Sequence, residues 1–126
     1  MSGKFAGLHA LLERAVGKLG AALEQPKTEY IRDSAIQRFE FTFELVWKTL
    51  KASLEERGVQ VYSPRDSLRA AFQAGLIDEN PMWLKTVELR NLTSHTYNEL
   101  IADEIFEALP NVLALYQALL GRLKNV

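Results

Sequence analysis

Ten consecutive residues, Arg90-Asn91-Leu92-Thr93-Ser94-His95-Thr96-Tyr97-Asn98-Glu99, hold most of the chemistry this chain can offer. The run contains an arginine, a histidine, a tyrosine, two asparagines and four hydroxyl or carboxyl side chains. A guanidinium presents a planar fork of donors that matches phosphate oxygens. An imidazole is the side chain best suited to move a proton near neutral pH. The chain has no cysteine and no clustered metal ligands. Together these suggest chemistry on a phosphodiester, with Arg90 and His95 as catalytic candidates, Asn91 and Ser94 (or Thr93) in support, and no metal or cofactor expected.

Spacing constrains how these groups can meet. On an unbroken helix, residues five apart point roughly 140° away from each other, so Arg90 and His95 would not share a face. Asn91 and His95, four apart, would be neighbours, and Arg90 and Tyr97, seven apart, would lie close. Thr96-x-x-Glu99 has the form of a capping box. One helix is therefore expected to stop near His95 and another to start just after Thr96. Free backbone N–H groups gather at such helix starts. The structural alternative pairs Arg90 with a carboxylate and packs His95 at a helix end.

The elements that must position these residues read as helices throughout. Leu8, Leu11, Leu12, Ala15, Leu19, Ala22 and Leu23 recur three and four apart, as on one buried helical face, and Pro26 ends that helix. Ile36, Phe39, Phe43, Trp47, Leu50 and Leu54 form a longer stripe with Gly58 as its stop. Glu44 with Lys48, and Lys51 with Glu55, are four-apart pairs on its solvated side. Val59 to Tyr62 can be extended, but the run is too short and isolated for a sheet. Ser63-Pro64-Arg65-Asp66 is a helix start, and that short helix stops at Gly75.

Asn80-Pro81 opens the next helix, which turns Trp83, Leu84 and Val87 toward the core and delivers the reactive run at its C-terminal half. The last helix begins near Tyr97 or Asn98 and buries Ile101, Ile105, Leu109, Val112, Tyr116 and Leu119. Pro110 inside it should produce a kink, because it removes a donor and crowds the Phe106 carbonyl. The expected fold is all-α: an antiparallel up-and-down bundle of four main helices and one short one, forming a single domain over residues 1–126.

Composition sets the outer bounds. The chain has 126 residues, 48% apolar and 25% charged, with a formal charge of −1. That suits one globular domain and excludes coating nucleic acid by bulk charge, so any RNA contact must be local. No apolar run approaches the length of a membrane span, and no secretion signal is apparent, so a cytoplasmic location is expected. Phe39, Phe41, Phe43 and Trp47 place aromatic groups on more than one side of the second helix, which makes it either the central helix of the bundle or an association face. Glu40 and Glu44 are either a carboxylate pair near the site or, the reading we favour, solvated charges and partners for arginines. His9 has no partner pattern and is read as a surface residue.

Arg-x4-His-x-Tyr, carried by Arg90, His95 and Tyr97, resembles the signature of HEPN-domain proteins of the HepT type. Three further blocks are similar to their nucleotidyltransferase substrate-binding-like branch: Gln37 to Leu50, Ser63 to Asp66, and Ala70 to Ile77. The four blocks cover about half the chain, in order. The resemblance implies a HEPN-like helical bundle that forms a homodimer or higher even oligomer and partners a minimal nucleotidyltransferase. It also implies a toxin with metal-independent ribonuclease activity, whose motif arginine and histidine line a cleft at the dimer interface. The motif tyrosine, Tyr97, is then the residue the nucleotidyltransferase modifies with AMP. Two functions remain open at this point: an endoribonuclease acting on RNA, and a non-catalytic substrate-binding subunit of the nucleotidyltransferase. A purely structural dimer is the residual reading.

Overall fold

The computed structural model describes residues 3–124. It contains α1 (Gly3–Leu23), α2 (Glu29–Glu56), α3 (Pro64–Gln73), α4 (Met82–Leu92), a 3-10 turn at Thr93–His95 and α5 (Glu99–Leu123). Among the described residues there is no strand, and no helix is long and apolar enough to cross a membrane. The expected all-α bundle is therefore what forms. Three helices are long, and the fourth side is shared between α3 and α4, of 10 and 11 residues.

Each boundary has a local chemical cause. Thr28 caps α2 by accepting from the Ile31 N–H at 3.0 Å. Ser63 caps α3 by accepting from the Asp66 N–H at 3.2 Å, with Pro64 in the first turn, as its sequence predicts. Gly58 and Gly75 stop α2 and α3 as expected, with φ of 79° and 76°. At the first, Gly58 N–H donates to Glu55 and Val59 N–H to Leu54; at the second, Gly75 N–H donates to Phe72 and Leu76 N–H to Ala71. This double closure satisfies otherwise orphaned carbonyls and needs a left-handed residue, which glycine adopts without a Cβ penalty.

The bundle directions follow from the ends that meet. Lys4 pairs with Glu55 at 3.3 Å, so the start of α1 lies at the end of α2 and the two run antiparallel. Arg32 of α2 bonds Glu99 and Asp103 of α5, so these two helices start together and run the same way. Trp83 of α4 packs on Tyr116 of α5 with ring centroids 6.1 Å apart.

Phe39, Phe43, Leu50 and Leu54 of α2 meet Leu12 and Leu19 of α1 and Ile105, Leu109, Val112 and Tyr116 of α5 in one core. Periodicity found the middle of each stripe and erred at its edges. Leu11 and Leu84 are about half exposed, while Phe5, Val16 and Leu89 are buried. Trp47 is only partly buried and Phe41 lies on the surface, so α2 is central but carries one aromatic group outward. The helix continues through Pro110, which stands on its exposed face.

Candidate functional site

The reactive run lies where α4 gives way to α5, along one face of α2. Its geometry is set by two hydroxyls that bond backwards. Thr93 Oγ1 donates to the Arg90 carbonyl at 2.6 Å, and Ser94 Oγ donates to the Asn91 carbonyl at 3.1 Å. Such back-bonding competes with the helical ladder and tightens the chain. The α-helix ends at Leu92 and a 3-10 turn follows, so an unbroken helical wheel does not describe the run. His95 ends that turn, near where the first helix was expected to stop, and bonds Tyr97.

The expected capping box also shifts. Asn98 is the cap of α5, its Oδ1 accepting from Leu100 N–H at 2.9 Å and Ile101 N–H at 3.2 Å. Thr96 does not serve: it closes the 3-10 turn two residues before the cap, and Glu99 bonds Arg32. Asparagine matches the extended backbone that a cap requires.

Arg90 is held loosely. Its Nη1 donates to Thr93 Oγ1 at 3.0 Å, and its Nε lies 3.9 Å from Glu44 Oε1, too far for a hydrogen bond. The buried Nε has no other partner. Glu44 is shared, since Oε2 accepts from Trp47 Nε1 at 3.1 Å and lies 3.9 Å from Lys48 Nζ. The reading of Glu44 as an arginine partner is thus closer to the geometry than a carboxylate pair with Glu40. The two acids lie in separate grooves.

One groove, of about 480 Å³, is lined by Glu44, Ser63, Arg65, Val87, Arg90 and Asn91 among others. The other, of about 350 Å³, is lined by Thr96 with Asp33, Ser34, Gln37 and Glu40. His95 lines neither. It is exposed, with Nδ1 3.1 Å from the Tyr97 hydroxyl and ring centroids 5.8 Å apart. Tyr97 is 78% exposed. If Tyr97 donates, Nδ1 is the acceptor and Nε2 carries the proton; if Nδ1–H donates, Nε2 is left as the base. Either way Nε2 is the nitrogen left for a ligand.

The residues just beyond the run are held much harder. Arg32 is 5% exposed, donating from Nη1 to Glu99 at 2.6 Å and Asp103 at 3.3 Å, and from Nε to Asp33 at 3.0 Å. Lys27 adds a second cation 3.2 Å from Asp103. The Glu99 bond chiefly, with help from Asp33, holds the guanidinium above its ordinary pKa despite burial. Asp103 is held below the ordinary carboxylate value by the Lys27 bond first and Arg32 next.

Sequence reasoning passed over both Arg32 and Arg65. Glu99 and Asp103, four apart at a helix start, were the available sign of a cation facing them. Arg65 stands in a helix start and in one of the blocks that carry the resemblance, and nothing local in sequence places it opposite Arg90. His9 also differs from its surface reading: its side chain is 13% exposed, beside Phe5, with Nδ1 3.6 Å from Glu13.

Residues 9–125 match the family model described as nucleotidyltransferase substrate binding protein like. A curated relative, the probable ribonuclease HepT of Haemophilus influenzae, is 34% identical over 96 residues, which is 72% of this chain. The match covers 66% of that relative, so the chain spans about two thirds of its length. A crystal structure from Thermus thermophilus superposes with a TM-score of 0.83 at 40% identity, covering 89% of this chain and 98% of that one. A Haemophilus influenzae structure, described as showing the fold of a substrate binding domain of a nucleotidyltransferase, gives a TM-score of 0.70 at 28% identity over 95% of this chain and 96% of that one.

Proposed function

The chain belongs to the nucleotidyltransferase substrate-binding-like family of HepT-type proteins, and from that premise we propose that it is the HEPN-type partner subunit of a minimal nucleotidyltransferase, acting as a metal-independent endoribonuclease of a toxin–antitoxin pair. The observation that carries this reading is that Arg90 and His95 are free of the fold's own needs. Arg90 lacks a hydrogen-bonded carboxylate, and the exposed His95 bonds only its signature neighbour Tyr97.

The reaction follows from those groups. His95 Nε2 takes the proton of a ribose 2′-hydroxyl while that oxygen attacks the adjacent phosphorus. The bond from phosphorus to the 5′-oxygen breaks, leaving a 2′,3′-cyclic phosphate and a 5′-hydroxyl. Arg90 binds the phosphoryl oxygens as their charge grows. The leaving oxygen needs a proton, and in a two-fold dimer His95 of a second copy supplies it. That dimer also answers the separation within one chain, where Arg90 lines the groove and His95 does not. Asn91 stands in the groove beside Arg90 to orient the phosphate, whereas Ser94 helps by shaping the turn.

Tyr97 is the acceptor for AMP. Its exposed hydroxyl lies against an imidazole nitrogen able to take its proton. A nucleotide attached there blocks His95 by occupancy and charge, without refolding.

The alternative is a non-catalytic subunit that helps the nucleotidyltransferase hold its substrate, favoured by the separation of Arg90 from His95 in a single chain. Incubating purified protein with RNA in excess chelator decides between them. Cleavage lost in His95→Ala supports the nuclease. Intact RNA with a sedimentation profile that stays monomeric at high concentration removes both the nuclease and its shared cleft.

A further inference from the structure

Arg65 lines the groove that contains Arg90 and also a second groove of about 300 Å³ between α3 and α4, so the two share a wall. Along α3, Arg65, Arg69 and Phe72 stand at i, i+4 and i+7, one stripe on one face. Among the described residues, the exposed Arg65 makes no ion pair and Arg69 has only an exposed contact of 3.9 Å with Asp66. Phe72 is 48% exposed and Leu84, across the groove on α4, is 50% exposed, with Leu68 and Trp83 on the apolar floor. The chain carries a formal charge of only −1, so exposed cations in line with a site are a local feature.

We propose that this stripe is the track of the RNA substrate: a single strand leaves the Arg90 groove along α3, its phosphates on Arg65 and Arg69 and a base stacked on Phe72. Four helical residues rise about 6 Å, which suits adjacent phosphates of an unstacked strand. A cationic edge beside an exposed aromatic group is the general means of holding single strands, because every base has a π-face. A duplex hides those faces and does not fit a groove of this size.

The acids along the track limit its length. Glu44 accepts from Trp47 Nε1 and has Lys48 and Arg90 each 3.9 Å away, so its charge is partly offset. Asp78 is occupied by Arg122 at 2.6 Å, while Glu79, without an ion pair among the described residues, lies at the far end and repels a phosphate there. The track therefore ends near Phe72 and Leu84. This inference rests on the ribonuclease reading for its substrate, but it is tested by binding alone.

The probe is a short labelled single-stranded RNA, titrated by fluorescence anisotropy into His95→Ala protein, with a duplex of the same sequence in parallel. Single strand should bind at least tenfold tighter than duplex. Arg65→Ala with Arg69→Ala should weaken it at least tenfold and lower the log–log salt slope by about 0.7 per arginine. Phe72→Ala should weaken it severalfold with the slope unchanged, and Phe72→Trp should restore it.

Melting temperatures should not move, which separates contact from unfolding. Equal binding of duplex, an unchanged affinity in the double variant, or a weakened affinity with an intact salt slope each overturn the track. So does no RNA binding, including the case in which the same variants instead lose a co-expressed nucleotidyltransferase, which makes the groove a protein-docking surface. Wild-type cleavage in chelator is scored separately, so a nuclease with no track and a track with no nuclease give different results.

Discussion

Two arginines face carboxylates at opposite ends of the same short segment, and they are treated differently. Arg32 is 5% exposed and bonds three carboxylates at 2.6 to 3.3 Å. Arg90 is 36% exposed, and its nearest carboxylate oxygen is 3.9 Å away. Arg32 belongs to α2 and Arg90 lies against it, and both adjoin the junction between α4 and α5. Arg32 is used up: a buried guanidinium must be met on every side, and here it ties the starts of two helices together. Arg90 is hydrogen-bonded to one hydroxyl, with Glu44 too far away for a hydrogen bond. A cation with no hydrogen-bonded carboxylate keeps donors for a ligand, and a rigid anchor beyond it restrains the intervening turn.

The widest separation between the two arginines is expected in catalysis. Arg90→Ala and His95→Ala should each lower RNA cleavage by about 10²–10⁴ with melting temperature nearly unchanged. The turn survives because Thr93 Oγ1 still donates to the backbone carbonyl of residue 90 when the bond from the Arg90 side chain is lost. Cleavage rates and thermal melts on the same preparations check this, and if both variants unfold, Arg90 is a fastener like Arg32.

Tyr97→Phe comes next. Co-expressed with an active nucleotidyltransferase and ATP, wild-type protein should gain one or more AMP units by intact mass, and this variant none. A gain that persists would place the acceptor elsewhere.

Arg32→Met should do the reverse of Arg90→Ala. It should cost about 1–2 kcal/mol of stability, measured by denaturant unfolding. That is at the low end for charged hydrogen bonds, because the three carboxylates, 39% to 65% exposed, can return to water. Cleavage per folded molecule should fall little. A variant as stable as wild type would show that the helix starts are held by packing alone.

The smallest effect is in acid. Asp103 has a depressed folded pKa, so its contribution to stability is present above the unfolded value and is lost as pH falls through the folded one. Lowering pH below the ordinary carboxylate value of 3.8 should therefore loosen the knot at Arg32 and Lys27. Melting temperature against pH should fall less steeply in acid for Asp103→Asn than for wild type. Parallel acid limbs would remove Asp103 from the account.

What the sequence determined by itself is local. Helix starts at Ser63 and near Asn98, stops at Gly58 and Gly75, and the central stripe of each helix depend on hydrogen bonds and periodicity within a few residues. Those were legible, as was the run from Arg90 to Tyr97 as the place where reactive groups gather. Tertiary structure decided the rest. Leu11 and Leu84 sit at the edges of their apolar stripes, and only the neighbouring helix determines whether an edge is covered. Thr96-x-x-Glu99 obeys the capping pattern, yet Arg32, 67 positions away from Glu99, takes its carboxylate. Arg65 meets Arg90 in one groove because α3 folds back on α2, a contact that no local spacing encodes. Side-chain type and spacing reveal which chemistry a segment can perform. Which of its groups remain free to perform it depends on what distant helices bring alongside, because only packing decides which charges are already satisfied.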